Sequence, residues 1–167
     1  MPTIDLSGGL VVVSGGAGSI GRAIAAQAAQ AGACIAVCDV DICEADAVTA
    51  QIRDEGAVAK SFEMDFTDRA MVTAVINSAV KELGPLRGLV TAAGVLRTGP
   101  LSSQSHEDWQ RVMAVNVDGT FHAVQAAIPH LASTQGSIVT LGSVSACLLY
   151  TSPSPRDSDS SRMPSSA

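Results

Sequence analysis

Aromatic residues are nearly missing from this chain of 167 residues, which holds one Trp, one Tyr and three Phe. Its core must therefore be built mainly from Ala, Val, Ile and Leu, as in α/β proteins with buried parallel strands. Long apolar runs are missing too, and none approaches the roughly 18 residues of a membrane span. Nor does the N-terminus join a basic stretch to an apolar one, as a secretory leader does. Positive charge is scarce: 10 Lys and Arg against 16 Asp and Glu give a net charge of −6. Nucleic acid and anionic membranes are accordingly not expected as partners. Cys34, Cys38, Cys43 and Cys147 form no Cys-x-x-Cys pair, and His106, His122 and His130 are unclustered. No metal or redox site is expected from that spacing. A cytoplasmic protein with a small-molecule partner is the expectation.

A hydrophobic content of 47% is ample for one core. Short β-branched runs alternate with Ala-rich segments of helical periodicity. Strands are predicted over 10–14, 34–38 with Asp39 at its end, 59–63, 86–91 and 137–141. Helices are predicted over 20–31, 42–55, 67–83 with Thr67 as N-cap, 105–117 capped by Ser105, and 119–131. Gly32, Gly56 and Gly84-Pro85 supply the stops. Five strands alternating with helices predict an α/β fold, a doubly wound parallel sheet of Rossmann type.

The loop from Ser14 to Gly21 contains Gly16-x-Gly18-x-x-Gly21 between a strand and a helix. Glycines there allow a tight turn and let backbone amides approach a pyrophosphate at the helix N-terminus. Asp39 follows about twenty residues later, at the end of the next strand. A carboxylate at that place accepts hydrogen bonds from ribose hydroxyls and repels a 2′-phosphate, so NAD is expected over NADP. Arg22 is the counter-signal, ranked lower because the first helical position tends to point outward.

Ser14 to Gly21, Ala92-Ala93-Gly94, Asn116-Val-Asp-Gly119 and Gly142-Ser143-Val144 stand in the order and spacing of the short-chain dehydrogenases/reductases. The chain resembles that family over roughly residues 5–146. Residues 89–117 are more narrowly similar to the 2,3-dihydro-2,3-dihydroxybenzoate dehydrogenases, which use NAD in siderophore biosynthesis. The resemblance implies cofactor contacts from Ser14, Gly15, Gly18, Ser19, Ile20, Gly21, Asp39, Asp65, Ala93 and Gly94. It implies catalytic roles for Asn116 and Ser143, and a homo-oligomer for the intact protein. Ser14 replaces the family's usual Thr, and Ser19 its middle glycine. The family's catalytic Tyr lies roughly a dozen residues after the Ser, with Lys four further on. Arg156 and Ser160 stand at about those positions here, and Tyr150 is too close to Ser143. Negligible turnover is therefore expected of the chain as written, because proton transfer has no agent.

Residues 147–167 have neither helical nor strand periodicity and are rich in Ser and Pro. Codons for Cys147–Asp157 can spell the mosaic end and flank of a transposase-based sequencing adapter. Those for Ser161–Ala167 can spell its downstream end. The expectation is a genuine Rossmann domain over residues 1–146, incomplete at its C-terminal side, followed by a disordered non-native tail over 147–167. Such a chain should expose a sheet edge and an apolar patch, and aggregate.

Overall fold

The computed structural model describes residues 5–143, so the tail, with Tyr150, Arg156 and Ser160, lies outside the described residues. Five strands form one sheet: β1 (Leu10–Ser14), β2 (Cys34–Asp39), β3 (Ala59–Glu63), β4 (Leu86–Thr91) and β5 (Ser137–Thr140). Their order is β3-β2-β1-β4-β5, and each pairing is parallel. The doubly wound sheet expected from the sequence is present. The chain winds outward from β1 to β3, then returns to β4 on the other side of β1. That reversal leaves a crevice at the carboxyl ends of β1 and β4, where ligands of open α/β sheets bind.

Alternation along β1 divides the core in two. Val11 and Val13 pack with Ala25 and Ala29 of α1 (Ser19–Gln30) and Val48 and Ile52 of α2 (Ile42–Asp54). Leu10 and Val12 pack on the opposite face with Val72 and Ile76 of α3 (Arg69–Leu83) and Ala123, Ala127 and Leu131 of α5 (Gly119–Thr134). Short Ala side chains let the helices approach the strands closely, which compensates for the shortage of rings.

Two helix boundaries differ from expectation. Asp68, not Thr67, caps α3: its Oδ1 accepts from the N–H groups of Ala70 and Met71, at 2.9 and 3.0 Å. A carboxylate also gains from the helix dipole, which a hydroxyl does not. Thr67 instead donates through both N–H and Oγ1 to Asp65 Oδ1, at 2.8 Å each. Secondly, α4 (His106–Met113) is not separated from the next helix at residue 118. It runs through a π turn, Ala114–Asp118, directly into α5, which reaches Thr134 before Gln135 turns left-handed at φ 52°.

Among the described residues, no helix covers the α1 side of the sheet beside β4 and β5. An apolar groove of about 1000 Å³ runs there between Ile20, Ile24, Val90 and Val139. Val139 on the edge strand is 53% exposed and Ile20 60%.

Candidate functional site

The site is built where three segments meet at the carboxyl end of β1. Ser14 is fully buried, and its Oγ accepts from the N–H groups of Ala92 and Ala93 at 3.2 and 3.3 Å. That hydroxyl ties the glycine loop to the turn after β4. Gly15 has φ 61°, and a Cβ on it would lie 2.6 Å from the Ala93 backbone. A Cβ on Gly21 would lie 2.1 Å from the Gly15 carbonyl oxygen. Close approach of backbone to backbone therefore explains both glycines. The Gly16 N–H donates to the Cys38 carbonyl at 3.0 Å, which joins the end of β2 to the same loop.

Gly15, Gly18, Asp39, Asp65, Ala93 and Gly94 line a single cleft of about 390 Å³. Helix α1 opens on it through its N-cap, Gly18, and has no side-chain cap and no acidic residue in its first turn. By contrast, Asp41, Asp68 and Ser105 cap α2, α3 and α4. The first N–H groups of α1 and its positive dipole end are left for an anion in the cleft. Asp39 Oδ2 accepts from the Ala17 N–H at 3.0 Å and Oδ1 from the Asp41 N–H at 3.2 Å, which fixes its carboxylate at the cleft wall. Burial, aided by the Asp39 charge, pushes the neighbouring Cys38 thiol up to about 12, so Cys38 adds no second negative charge.

Arg22 is not at the first helical position, because α1 begins at Ser19. Its Nη2 donates to the Ala17 carbonyl at 3.0 Å and lies 3.6 Å from Glu44. The remaining expected residues lie around the cleft rather than on its lining. Ser19 and Ile20 face the apolar groove. Asn116 sits in the π turn, where its Oδ1 accepts from the Val95 N–H at 2.8 Å. Its Nδ2 donates back to the Val95 carbonyl at 2.9 Å, so Asn116 clamps the segment after Gly94. Ser143 is exposed, just past β5.

Sequence reasoning missed Met64, Phe66, Val95, Arg111 and Val115, all in the cleft wall. Arg111 and Val115 share a helical face by their spacing of four, a usable signal once the helix is placed. Phe66 follows Asp65, and α5 seats against it: a Cβ on Gly119 would lie 2.8 Å from the Phe66 Cβ. His122 Nδ1 is 3.1 Å from the Phe66 carbonyl oxygen.

Comparison with known proteins agrees with this geometry. The chain is 41% identical over 136 residues to 2-(S)-hydroxypropyl-CoM dehydrogenase 3 of Xanthobacter autotrophicus, covering 81% of this chain and 53% of that protein. It is 34% identical over 148 residues to 2,3-dihydro-2,3-dihydroxybenzoate dehydrogenase of Bacillus subtilis, covering 88% and 57%. The chain therefore spans about half the length of the curated relatives it matches. A crystal structure of a dehydrogenase/reductase from Sinorhizobium meliloti superposes with a TM-score of 0.82 at 35% identity, covering 92% of this chain and 60% of that one. The short chain dehydrogenase family, whose model matches residues 9–153, binds nicotinamide dinucleotides. The residues here fit such a group: an uncapped helix N-terminus for the pyrophosphate, glycines that no Cβ could replace, and a fixed carboxylate one strand away. On motif order, sheet topology and sequence identity together, the chain belongs to the short-chain dehydrogenase family.

Proposed function

We propose that this chain is the NAD-binding part of an oxidoreductase acting on a secondary alcohol. A cyclic diol of the dihydrodihydroxybenzoate kind is the favoured substrate. The observation that carries the cofactor choice is Asp39, anchored at 3.0 Å to the Ala17 N–H in the wall of the glycine-loop cleft. Its free lone pairs suit the paired hydroxyls of an adenosine ribose, and its charge opposes a 2′-phosphate. Gly15, Gly18, Gly21 and the amides of Ser19 and Ile20 hold the pyrophosphate, while Ser14 and Asn116 hold the Ala93–Gly94 turn in place. Asp65, in the same cleft lining, would face the adenine. Bound nicotinamide supplies or takes the hydride. Ser143 orients the substrate hydroxyl in the intact enzyme.

Proton transfer needs a partner that this chain does not carry at the expected place, since Arg156 and Ser160 stand there. Without a positioned acid–base group, a factor of about 10²–10⁴ is lost. The chain as written therefore binds NAD without turning over alcohol. The names of the two curated relatives support the alcohol class, since each is a dehydrogenase of a hydroxylated compound.

Titration of the chain with NAD and NADP tests this reading. The expected result is a preference for NAD of tenfold or more, as a carboxylate–phosphate clash of about 1.4 kcal/mol would give, with the preference abolished in Asp39→Ser. Equal affinities for the two cofactors in the unaltered chain would refute the NAD assignment. NADH production from alcohols by the chain alone would refute its inactivity.

A further inference from the structure

We propose that Arg111 is a cofactor-binding residue that closes the adenine end of the cleft, its guanidinium stacked on the purine. The inference rests on the dinucleotide reading above and extends it to a residue outside the family motifs named in the sequence. Arg111 lies in the last turn of α4, a helix that buries none of its residues. It nonetheless lines the cleft together with Val115, one turn further along the same face, and with Asp65 and Phe66. Gly119, a further turn on, is packed directly against Phe66. The face that carries Arg111, Val115 and Gly119 therefore runs along the Asp65–Phe66 wall. The same cleft is lined by Gly15 and Gly18, where the pyrophosphate would sit.

Charge sharpens the argument. Arg22, Lys60 and Arg97 are paired with Glu44, Glu82 and Asp108. Arg53 donates to the Ala59 carbonyl at 2.7 Å. The Arg111 guanidinium has no hydrogen bond or ion pair among the described residues, and it is the one cation among the residues that line the cleft, which also include Asp39 and Asp65. A planar guanidinium is weakly hydrated and stacks on flat π-systems, which an ammonium does less well. A purine lying against the face that carries Val115 and Arg111 would give that guanidinium a stacking partner.

The test is calorimetric titration of the chain, unaltered and as Arg111→Ala and Arg111→Lys, with NAD and with AMP. Arg111→Ala is expected to weaken both ligands about three- to tenfold, the range of a half-exposed cation–π contact. Arg111→Lys should leave most of that loss in place, because charge alone does not restore a planar stack. The melting curve should not move, since Arg111 holds no other group. Affinity unchanged within twofold in Arg111→Ala would overturn the proposal, and so would full rescue by Lys. Failure of the unaltered chain to bind NAD would overturn the cofactor reading itself, and the role of Arg111 with it.

Discussion

Of two hydroxyl deletions in the buried core, one should destabilise the fold and the other should not. Ser14 is fully buried, and its Oγ accepts from the Ala92 and Ala93 N–H groups. In Ser14→Ala the Ala92 N–H keeps an acceptor, the Ser14 carbonyl at 3.1 Å. The Ala93 N–H is stranded. A fully buried unsatisfied donor costs about 1–3 kcal/mol; Ala93 is half-buried in the cleft lining and its lost bond is 3.3 Å long, so the expected cost lies in the lower half, about 1–2 kcal/mol. Thr49 is also buried, at 1% exposure, but its Oγ1 has no hydrogen-bond partner among the described residues. Thr49→Val removes a desolvated hydroxyl at constant shape, so it should be neutral or stabilising by up to about 1 kcal/mol. Urea unfolding reads both, since with a slope of about 1–3 kcal/mol per M the Ser14 variant should shift its midpoint down by several tenths of a molar unit. Equal downward shifts for the two variants would refute the claim that Ser14 acts through its bonds to the turn.

Other outcomes follow from the same contacts. Gly15→Ala places a Cβ 2.6 Å from the Ala93 backbone at a φ of 61°, so it should cost upward of about 2 kcal/mol and abolish NAD binding. Unfolding and NAD titration check it, and a stable variant that binds NAD would contradict the assigned loop geometry. Cys38, buried and with its thiol pushed up to about 12, should resist iodoacetamide at pH 8 until the chain unfolds. Exposed Cys43 should label at once, and peptide mass spectrometry separates the two sites.

The sheet was legible because its signals are local. Leu10–Ser14 is a short β-branched run ended by the glycine loop, Leu86–Thr91 follows the Gly84-Pro85 stop, and the strands occupy those residues. The glycine loop and Asp39 were legible because close backbone approach leaves only Gly possible, and a carboxylate at a strand end is rarely accidental. The π turn was not legible: Ala114, Val115, Asn116, Val117 and Asp118 carry no breaker, and no residue type among them marks a turn widened by one residue. The α3 cap was misjudged because Thr67 and Asp68 are both good caps by type. Only the pull of Asp65 on Thr67 separates them. Arg111 was missed for a similar reason: an Arg on an amphipathic helix reads as solvated until the cleft beside it is known.

The charge balance around Asp39 leads to one more prediction. Arg22 stands beside the loop, where a free cation would welcome a 2′-phosphate and undo the selectivity that Asp39 imposes. Two contacts prevent this: Nη2 donates to the Ala17 carbonyl, and the guanidinium faces Glu44 at 3.6 Å. Glu44 lies in the first turn of α2, where the helix dipole favours its charge and holds it in place. Glu44 therefore acts as a positioning residue for selectivity, by occupying Arg22. In Glu44→Gln the guanidinium keeps only its carbonyl partner and can swing toward the ribose. Both side chains are well exposed, at 45% and 62%, so the pair is worth no more than about 1 kcal/mol. The NADP dissociation constant should fall about two- to fivefold, the range that energy allows, while NAD binding stays within twofold. Higher salt should erase the difference, because the pair is screened. An NADP affinity that does not change in Glu44→Gln would mean that Asp39 alone sets the choice of cofactor, and that the Arg22–Glu44 pair merely joins α1 to α2.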